Sequence, residues 1–241
     1  MQPQKYLRLL HTPKGQQQYG KFLVEGHKGV QAALQSDFKV VQIYASPKEA
    51  ANYSGKAVTI IQDHDWPKIS NLPTPPGVMA EVQIQPATQA TPSGTVLIGC
   101  AINDPGNLGT IIRTADWFGV KQLWLTPGSV DPYNEKVIRS SMGSFFRVEI
   151  RTLTDPVSAL QFLSQAGYQI VESKAGADNH TWPQGQIALL LGSESHGVPT
   201  NLATLANQQI SIQGLGPVES LNLGVACGIL LYSHARFLEL L

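Results

Sequence analysis

Six short apolar runs, at 96–101, 122–126, 146–150, 169–172, 187–191 and 209–212, alternate with segments of helical periodicity near 109–118, 136–141 and 156–165. This rhythm constrains the fold more than any other feature of the chain. Strands joined by crossovers of helix length pair in parallel, and a parallel sheet has to be covered on both faces. The closing stretch 221–241 is apolar on nearly all sides and lacks an internal proline. It predicts a long helix against the sheet, with apolar surface left over for a second subunit.

The N-terminal third has a different texture. Lys21-Phe22-Leu23-Val24-Glu25-Gly26 reads as a strand and turn, 27–35 as a short helix, 40–45 and 57–61 as strands, and 77–82 as a returning strand. This is a small α/β domain. The stretch 85–94, Gln-Pro-Ala-Thr-Gln-Ala-Thr-Pro-Ser-Gly, has two prolines and no large apolar residue, which makes it a linker. The expected organisation is therefore a domain at 1–84, a linker at 85–94 and an α/β domain at 95–241.

A chain of 241 residues, 42% hydrophobic and 14% charged, can bury one large core or two smaller ones. It has no charged start followed by an apolar stretch of signal length, and no apolar run near the roughly 20 residues of a membrane span, so a cytoplasmic protein with no membrane contact is expected. Cys100 and Cys227 sit in apolar sequence and read as buried reduced thiols. The six histidines show no ligand spacing, and no metal site is expected. Net charge is zero, which argues against a surface coated in nucleic acid. Residues 1–40 carry six basic groups against two acidic ones, a balance of +4, so the remainder carries −4. That end suits either phosphate contacts or a solvated surface.

Three polar clusters follow strands. They are Asn103-Asp104-Pro105-Gly106-Asn107-Leu108-Gly109-Thr110-Ile111-Ile112-Arg113, then Gly192-Ser193-Glu194-Ser195-His196-Gly197, then Pro217-Val218-Glu219-Ser220-Leu221-Asn222-Leu223-Gly224. Open α/β sheets bind ligands at the carboxyl ends of their strands, so one cleft is implied. Glu219, Ser220 and Asn222 interrupt an apolar run that should pack inside. An unpaired buried polar group costs roughly 1–3 kcal/mol, so they require partners or a ligand. No Gly-x-Gly-x-x-Gly opens a helix after a strand, no Gly-x-x-x-x-Gly-Lys-Ser/Thr is present, and the serine cluster has one residue too many for a Gly-x-Ser-x-Gly elbow. Taken singly, each residue has an ordinary reading. Asn107 could cap a helix, Glu194 and Arg113 could be solvated charges, Ser220 and Asn222 could bridge loop backbone, and Ile212 and Leu221 could be core.

In order and content these clusters resemble the three motifs of the SpoU/TrmH family of S-adenosylmethionine-dependent RNA ribose 2′-O-methyltransferases. The segment from Asp131 to Gly143 is similar to the stretch between its first two motifs. Phe22-Leu23-Val24-Glu25-Gly26 and Thr74-Pro75-Pro76-Gly77-Val78-Met79-Ala80 look like the small substrate-binding domain ahead of many members. The resemblance implies a small α/β RNA-binding domain before a mostly parallel, trefoil-knotted sheet flanked by helices, with S-adenosylmethionine bent in the knot and a homodimer through it. It further implies Arg113, Asn107, Glu194, Ser220 and Asn222 at the reacting centre. Leu191, Gly192, Ile212 and Leu221 would hold the cofactor, and Lys136, Arg139 and Ser140 would contact RNA. The family offers Arg113 two roles, proton acceptor or phosphate clamp. An arginine stays charged in nearly any protein setting, which favours the clamp. Ribosomal RNA is favoured over transfer RNA, because the added first domain is more typical of ribosomal-RNA members. The alternatives are a transfer-RNA enzyme, a non-catalytic RNA-binding or ribosome-assembly protein of the same fold, and an unrelated hydrolase with a reactive Ser195.

Overall fold

The computed structural model describes residues 3–86, 91–178, 181–193 and 195–241. In chain order it runs α1 (Pro3–Leu10), α2 (Pro13–Tyr19), β1 (Lys21–Glu25), α3 (His27–Leu34), β2 (Val40–Ala45), β3 (Val58–Ile60), α4 (Trp66–Ile69), β4 (Val78–Gln83), β5 (Val96–Gly99), α5 (Pro105–Trp117) and β6 (Gln122–Leu125). It continues through α6 (Glu135–Ser140), β7 (Glu149–Thr152), α7 (Pro156–Gln165), β8 (Gln169–Ser173), β9 (Ile187–Leu191), α8 (Thr200–Ala203), β10 (Gln208–Ile210) and α9 (Leu223–Phe237). Two compact units result, Met1–Ala87 with Asp131–Phe146, and Thr88–Val130 with Arg147–Leu241.

The first unit holds a four-stranded sheet in the order β1-β4-β2-β3. β4 runs antiparallel to β1 and β2, and β3 parallel to β2. The segment Asp131–Phe146 falls within the expected 95–241 domain but packs here, and aromatic burial explains why. Phe22, fully buried, has the rings of Tyr133 and Phe145 at 4.9 and 5.6 Å, and Gln16 Nε2 donates to the Tyr133 carbonyl at 3.1 Å. Helices α1 and α2 are additions to the sequence reading. α2 carries no apolar stripe and is defined by its ends: Thr12 accepts from the Gly15 N–H, Pro13 opens the helix, and Gly20 closes it at φ 62°.

The second unit is a six-stranded, wholly parallel sheet in the order β10-β8-β9-β5-β6-β7. Its middle strands β5 and β9 are buried throughout, as a doubly covered parallel sheet requires. Val96, Ile98 and Leu190 pack with Leu160 and Leu163 of α7 on one such face. Expected elements shift: α5, expected near 109–118, opens early at Pro105 behind its Asp104 cap, and two others start late. The predicted strand at 146–150 begins only at Glu149, because Ser144–Phe146 is a buried 3-10 turn. The last helix starts at Leu223, because Asn222 caps it. Among the described residues no helix is long and apolar enough to cross a membrane.

The register brings the carboxyl ends of four strands together. Gly99 of β5 lies opposite Leu191 of β9, and the Cys100 N–H continues that ladder to the Leu191 carbonyl at 2.8 Å. Ser173, ending β8, pairs with Ile210 of β10, and its hydroxyl donates to the Leu190 carbonyl at 2.8 Å. The loops that leave these strands carry the polar clusters.

Candidate active site

The loop after β5 turns into α5 through Asp104, whose Oδ1 accepts the Asn107 N–H at 2.8 Å, with Pro105 in the first turn. Asp104 is therefore the cap, and the Asn107 side chain is used elsewhere. Asn222 caps α9. Its Oδ1 accepts the N–H groups of Gly224 and Val225 at 3.0 and 3.3 Å, and its Nδ2 donates to Asn107 Oδ1 at 2.8 Å. Two residues 115 positions apart thus tie two helix N-termini together. Close approach of the helices makes this tie reachable: a Cβ at Gly224 would stand 2.8 Å from Thr110 Cγ2.

Residues 213–222 are exposed. This corrects the expectation that Glu219, Ser220 and Asn222 are packed inside. The apolar run down to Leu241 becomes core only from Leu223, where the helix begins, and the loop before it presents Leu215, Val218 and Leu221 at 98, 77 and 47% exposure. Asn222 finds its partners at the helix end, outside the core.

After β9, the Ser193 N–H donates to the Gly197 carbonyl at 3.1 Å and the Gly197 N–H returns to the Ser193 carbonyl at 2.9 Å. The hairpin folds straight back on Gly192, where a Cβ would lie 2.3 Å from the Gly197 carbonyl carbon. Only glycine fits there. Ser195 Oγ meets His196 Nδ1 at 2.7 Å, a contact between neighbours in an exposed loop.

The loops after β8, β9 and β10 border a cavity of about 1010 Å³. Gly192, from the second cluster, and Ser220 and Leu221, from the third, line it with Ile212, and no residue of the first cluster does. Leu191 does not; it is fully buried in the sheet, with its carbonyl bonded to Cys100. Asn107, Arg113 and Asn222 are also off the lining. Arg113 is exposed on α5, six positions past Asn107, and forms no ion pair with the described residues. Glu194 lies outside the described residues. Lys136, Arg139 and Ser140 belong to α6 in the first unit, where Ser140 Oγ donates to the Lys136 carbonyl at 2.6 Å and Lys136 and Arg139 are exposed.

The cavity also takes residues absent from the sequence reading. Glu172, 5% exposed, accepts from Gln209 Nε2 at 2.8 Å and lines the wall with Lys174. The signal for them was available, since Glu172 ends the predicted strand 169–172 at the ligand-bearing end of the sheet. Cys100 and Cys227 are free and buried, and burial pushes each thiol up to about 12.

A parallel α/β sheet with a large cavity at its strands' carboxyl ends, rimmed by glycine turns, has the form of an α/β ligand-binding protein. Comparison with known proteins gives the class. Residues 94–232 match the SpoU rRNA Methylase family and residues 4–80 the MRM3-like substrate binding domain. The Bacillus subtilis 23S rRNA (guanosine(2553)-2'-O)-methyltransferase RlmP is 31% identical, over 94% of this chain and 93% of its own. A Porphyromonas gingivalis structure assigned to the TrmH family of RNA methyltransferases superposes with a TM-score of 0.89 at 30% identity, covering 97% of this chain and 96% of its own. An AdoMet-bound rRNA methyltransferase from Sinorhizobium meliloti gives 0.85 at 28%, covering 98% and 95%. The chain belongs to the SpoU rRNA methylase family and is an S-adenosylmethionine-dependent RNA methyltransferase. The residues fit that cofactor. Ile212, Leu221 and Leu230 offer apolar walls for an adenine, Glu172, Gln213 and Ser220 offer polar groups, and Gly192 allows close approach to backbone.

Proposed function

We propose that the protein methylates a ribose 2′-hydroxyl in ribosomal RNA. The observation that carries this reading is the Asn107–Asn222 bond, which ties the first and third polar clusters beside a cavity lined by the second and third. S-adenosylmethionine, when bound, supplies a methyl group on a positively charged sulfur. The new carbon–oxygen bond forms as the sulfur–carbon bond breaks, and the hydroxyl proton leaves to water. No group needs an extreme pKa, so positioning carries the rate.

In this reading Gly192, Ile212 and Leu221 hold the cofactor with backbone and apolar contacts, and Leu191 supports them from the sheet. Asn107 and Asn222 fix the helix N-termini, and Ser220 orders the third loop. Arg113 clamps a target phosphate, and Glu194 supports the arginine and the cofactor loop. Lys136, Arg139 and Ser140 meet the RNA backbone. Residues 1–84, together with Asp131–Phe146, form an RNA-docking domain joined through 85–94 to a catalytic domain made of the rest of 95–241. Its chain follows the family's knotted path, and it pairs as a cytoplasmic homodimer through α9. Relatives named for 23S rRNA, and the match of residues 4–80 to a substrate-binding domain, support ribosomal over transfer RNA.

The test is tritium transfer from labelled S-adenosylmethionine into undermodified total RNA, fractionated by size, for wild type and Arg113→Ala. Label confined to ribosomal RNA and lost in the variant is expected. Label in transfer RNA overturns the substrate, and a chain that binds no cofactor by calorimetry overturns the reading.

A further inference from the structure

A second cavity, of about 300 Å³, lies wholly within the first unit, between the β1–α3 turn and α6. Its size sits at the lower limit of ligand pockets, room for one planar ring system and no more. Leu72, Pro76, Ile138 and Met142 give it apolar walls. Its charges are sorted. Lys28 and Arg139 line it from exposed positions and make no ion pair with the described residues. Glu25 and Glu135 contribute carboxylates. The Glu25 side chain is 8% exposed, Ser70 donates to its Oε2 at 2.6 Å, and its Oε1 accepts no hydrogen bond and lies 3.7 Å from His11 Nε2, while Glu135 Oε2 accepts from Asn71 Nδ2 at 3.1 Å. The carboxylates, partly offset by His11 and Arg139, favour an N–H donor over an anion on that wall, while exposed Lys28 and Arg139 attract an anion at the mouth.

The mouth also includes the start of α3. Gly26 takes φ 89° there, which lets the chain enter the helix abruptly, and no side chain caps the first turn. The first internal bond runs from the Val30 N–H to the Gly26 carbonyl at 3.0 Å. Gly26, His27, Lys28 and Gly29 all line the cavity. An uncapped first turn beside two exposed cations suits a phosphate, and an apolar slot with carboxylates on its wall suits a base carrying amino groups.

We propose that this slot takes one unstacked nucleotide of the RNA substrate, base inward and phosphate at the mouth with Lys28, Arg139 and the first turn of α3. The inference rests on the RNA-methyltransferase reading and adds that the first domain reads single-stranded RNA one base at a time. Single-stranded loops and bulges are where bases can be splayed out in this way.

The test uses the full chain and a labelled mixed-sequence RNA hexamer, with the same sequence as a duplex and four mononucleotides as competitors. The hexamer should bind at least tenfold tighter than the duplex. Leu72→Trp, which fills the slot, should weaken it at least fivefold. Lys28→Ala with Arg139→Ala, two changes at exposed positions checked for unchanged melting, should lower the salt slope by about 0.7 for each phosphate no longer neutralised. Equal binding of duplex and hexamer, or an unaffected Leu72→Trp, overturns the slot. A mononucleotide that binds as tightly as the hexamer makes it a free-nucleotide site and overturns the RNA source. Methyl transfer by wild type is measured in parallel. Transfer with no slot effect leaves the enzyme standing and removes this inference, whereas absent cofactor binding removes the enzymatic reading itself.

Discussion

Asn222 donates its side-chain amide to the Asn107 carbonyl oxygen across 2.8 Å while its own carbonyl oxygen accepts two N–H groups at the start of α9. The two backbone donors fix which end of the amide is which, because only oxygen can accept them.

Asn222→Ala should therefore lose a cap worth roughly 1 kcal/mol and a side-chain bond worth about as much, lowering the melting temperature by several degrees. Asn222→Asp keeps the cap but turns an acceptor towards Asn107. Thermal melts should place Asp close to wild type and Ala below it, while methyl transfer falls in both. Activity retained in Asn222→Asp would show that the tie is structural only.

Gly192→Ala puts a methyl group 2.3 Å from the Gly197 carbonyl carbon and 2.4 Å from the Val198 nitrogen, both of them backbone. The returning hairpin must move while β9 stays in the sheet. Calorimetry should show cofactor affinity down at least tenfold, about 1.4 kcal/mol, with the far-ultraviolet spectrum unchanged.

Much of this architecture was legible in the sequence. The fully apolar run 187–191 could only be a strand covered on both faces, and Pro156–Gln165 is helical over the expected residues. What escaped depended on contacts distant in sequence. Asp131–Phe146 joined the first unit because Phe22 needed Tyr133 and Phe145 as neighbours. The site was legible as three clusters in order, and its geometry was not. The apolar run placed Ser220 in the core, whereas the chain holds it on an exposed loop, while Glu172 was within reach of the sequence as the last residue of a predicted strand at the ligand-bearing end of the sheet.

His11, Glu25 and Glu135 converge in the first unit, with His11 Nδ1 3.0 Å from Glu135, Nε2 2.8 Å from the Ile69 carbonyl and 3.7 Å from Glu25. Burial alone would lower the imidazole, but these contacts outweigh it and leave His11 raised. A raised folded value means that the stabilisation is complete below the unfolded pKa of about 6.5 and is lost as pH rises through the folded one. Burial raises Glu25, which has the same sign, while the bond from His11 lowers Glu135, whose contribution is lost as pH falls through its own folded value. Urea unfolding from about pH 6 to 9 should show stability declining with pH, and His11→Gln should flatten the decline. An unchanged profile would rule out His11 as its source.

Burial holds the thiols of Cys100 and Cys227 at about 12, so neither is a thiolate at neutral pH. A thiol reagent at pH 8 should label the native protein negligibly within the time that denatured protein takes to react with two equivalents. Rapid native labelling would mean that the core opens locally.

Val225, Ile229 and Tyr232 lie on one stripe of α9 at 51, 40 and 53% exposure, and the loop before the helix adds Leu215 and Val218. Apolar surface at this spacing is what a partner helix covers. Ile229 also lines the large cavity, so a partner on this stripe would press against the wall of the proposed cofactor site. Tyr232 is off that lining and gives the cleaner variant. Tyr232→Glu should shift sedimentation from the proposed dimer to monomer and weaken cofactor affinity with it, because the exposed loop would lose the cover a partner gives it. Dissociation with unchanged affinity would separate assembly from the site, and a wild-type chain that sediments as a monomer would remove the dimer.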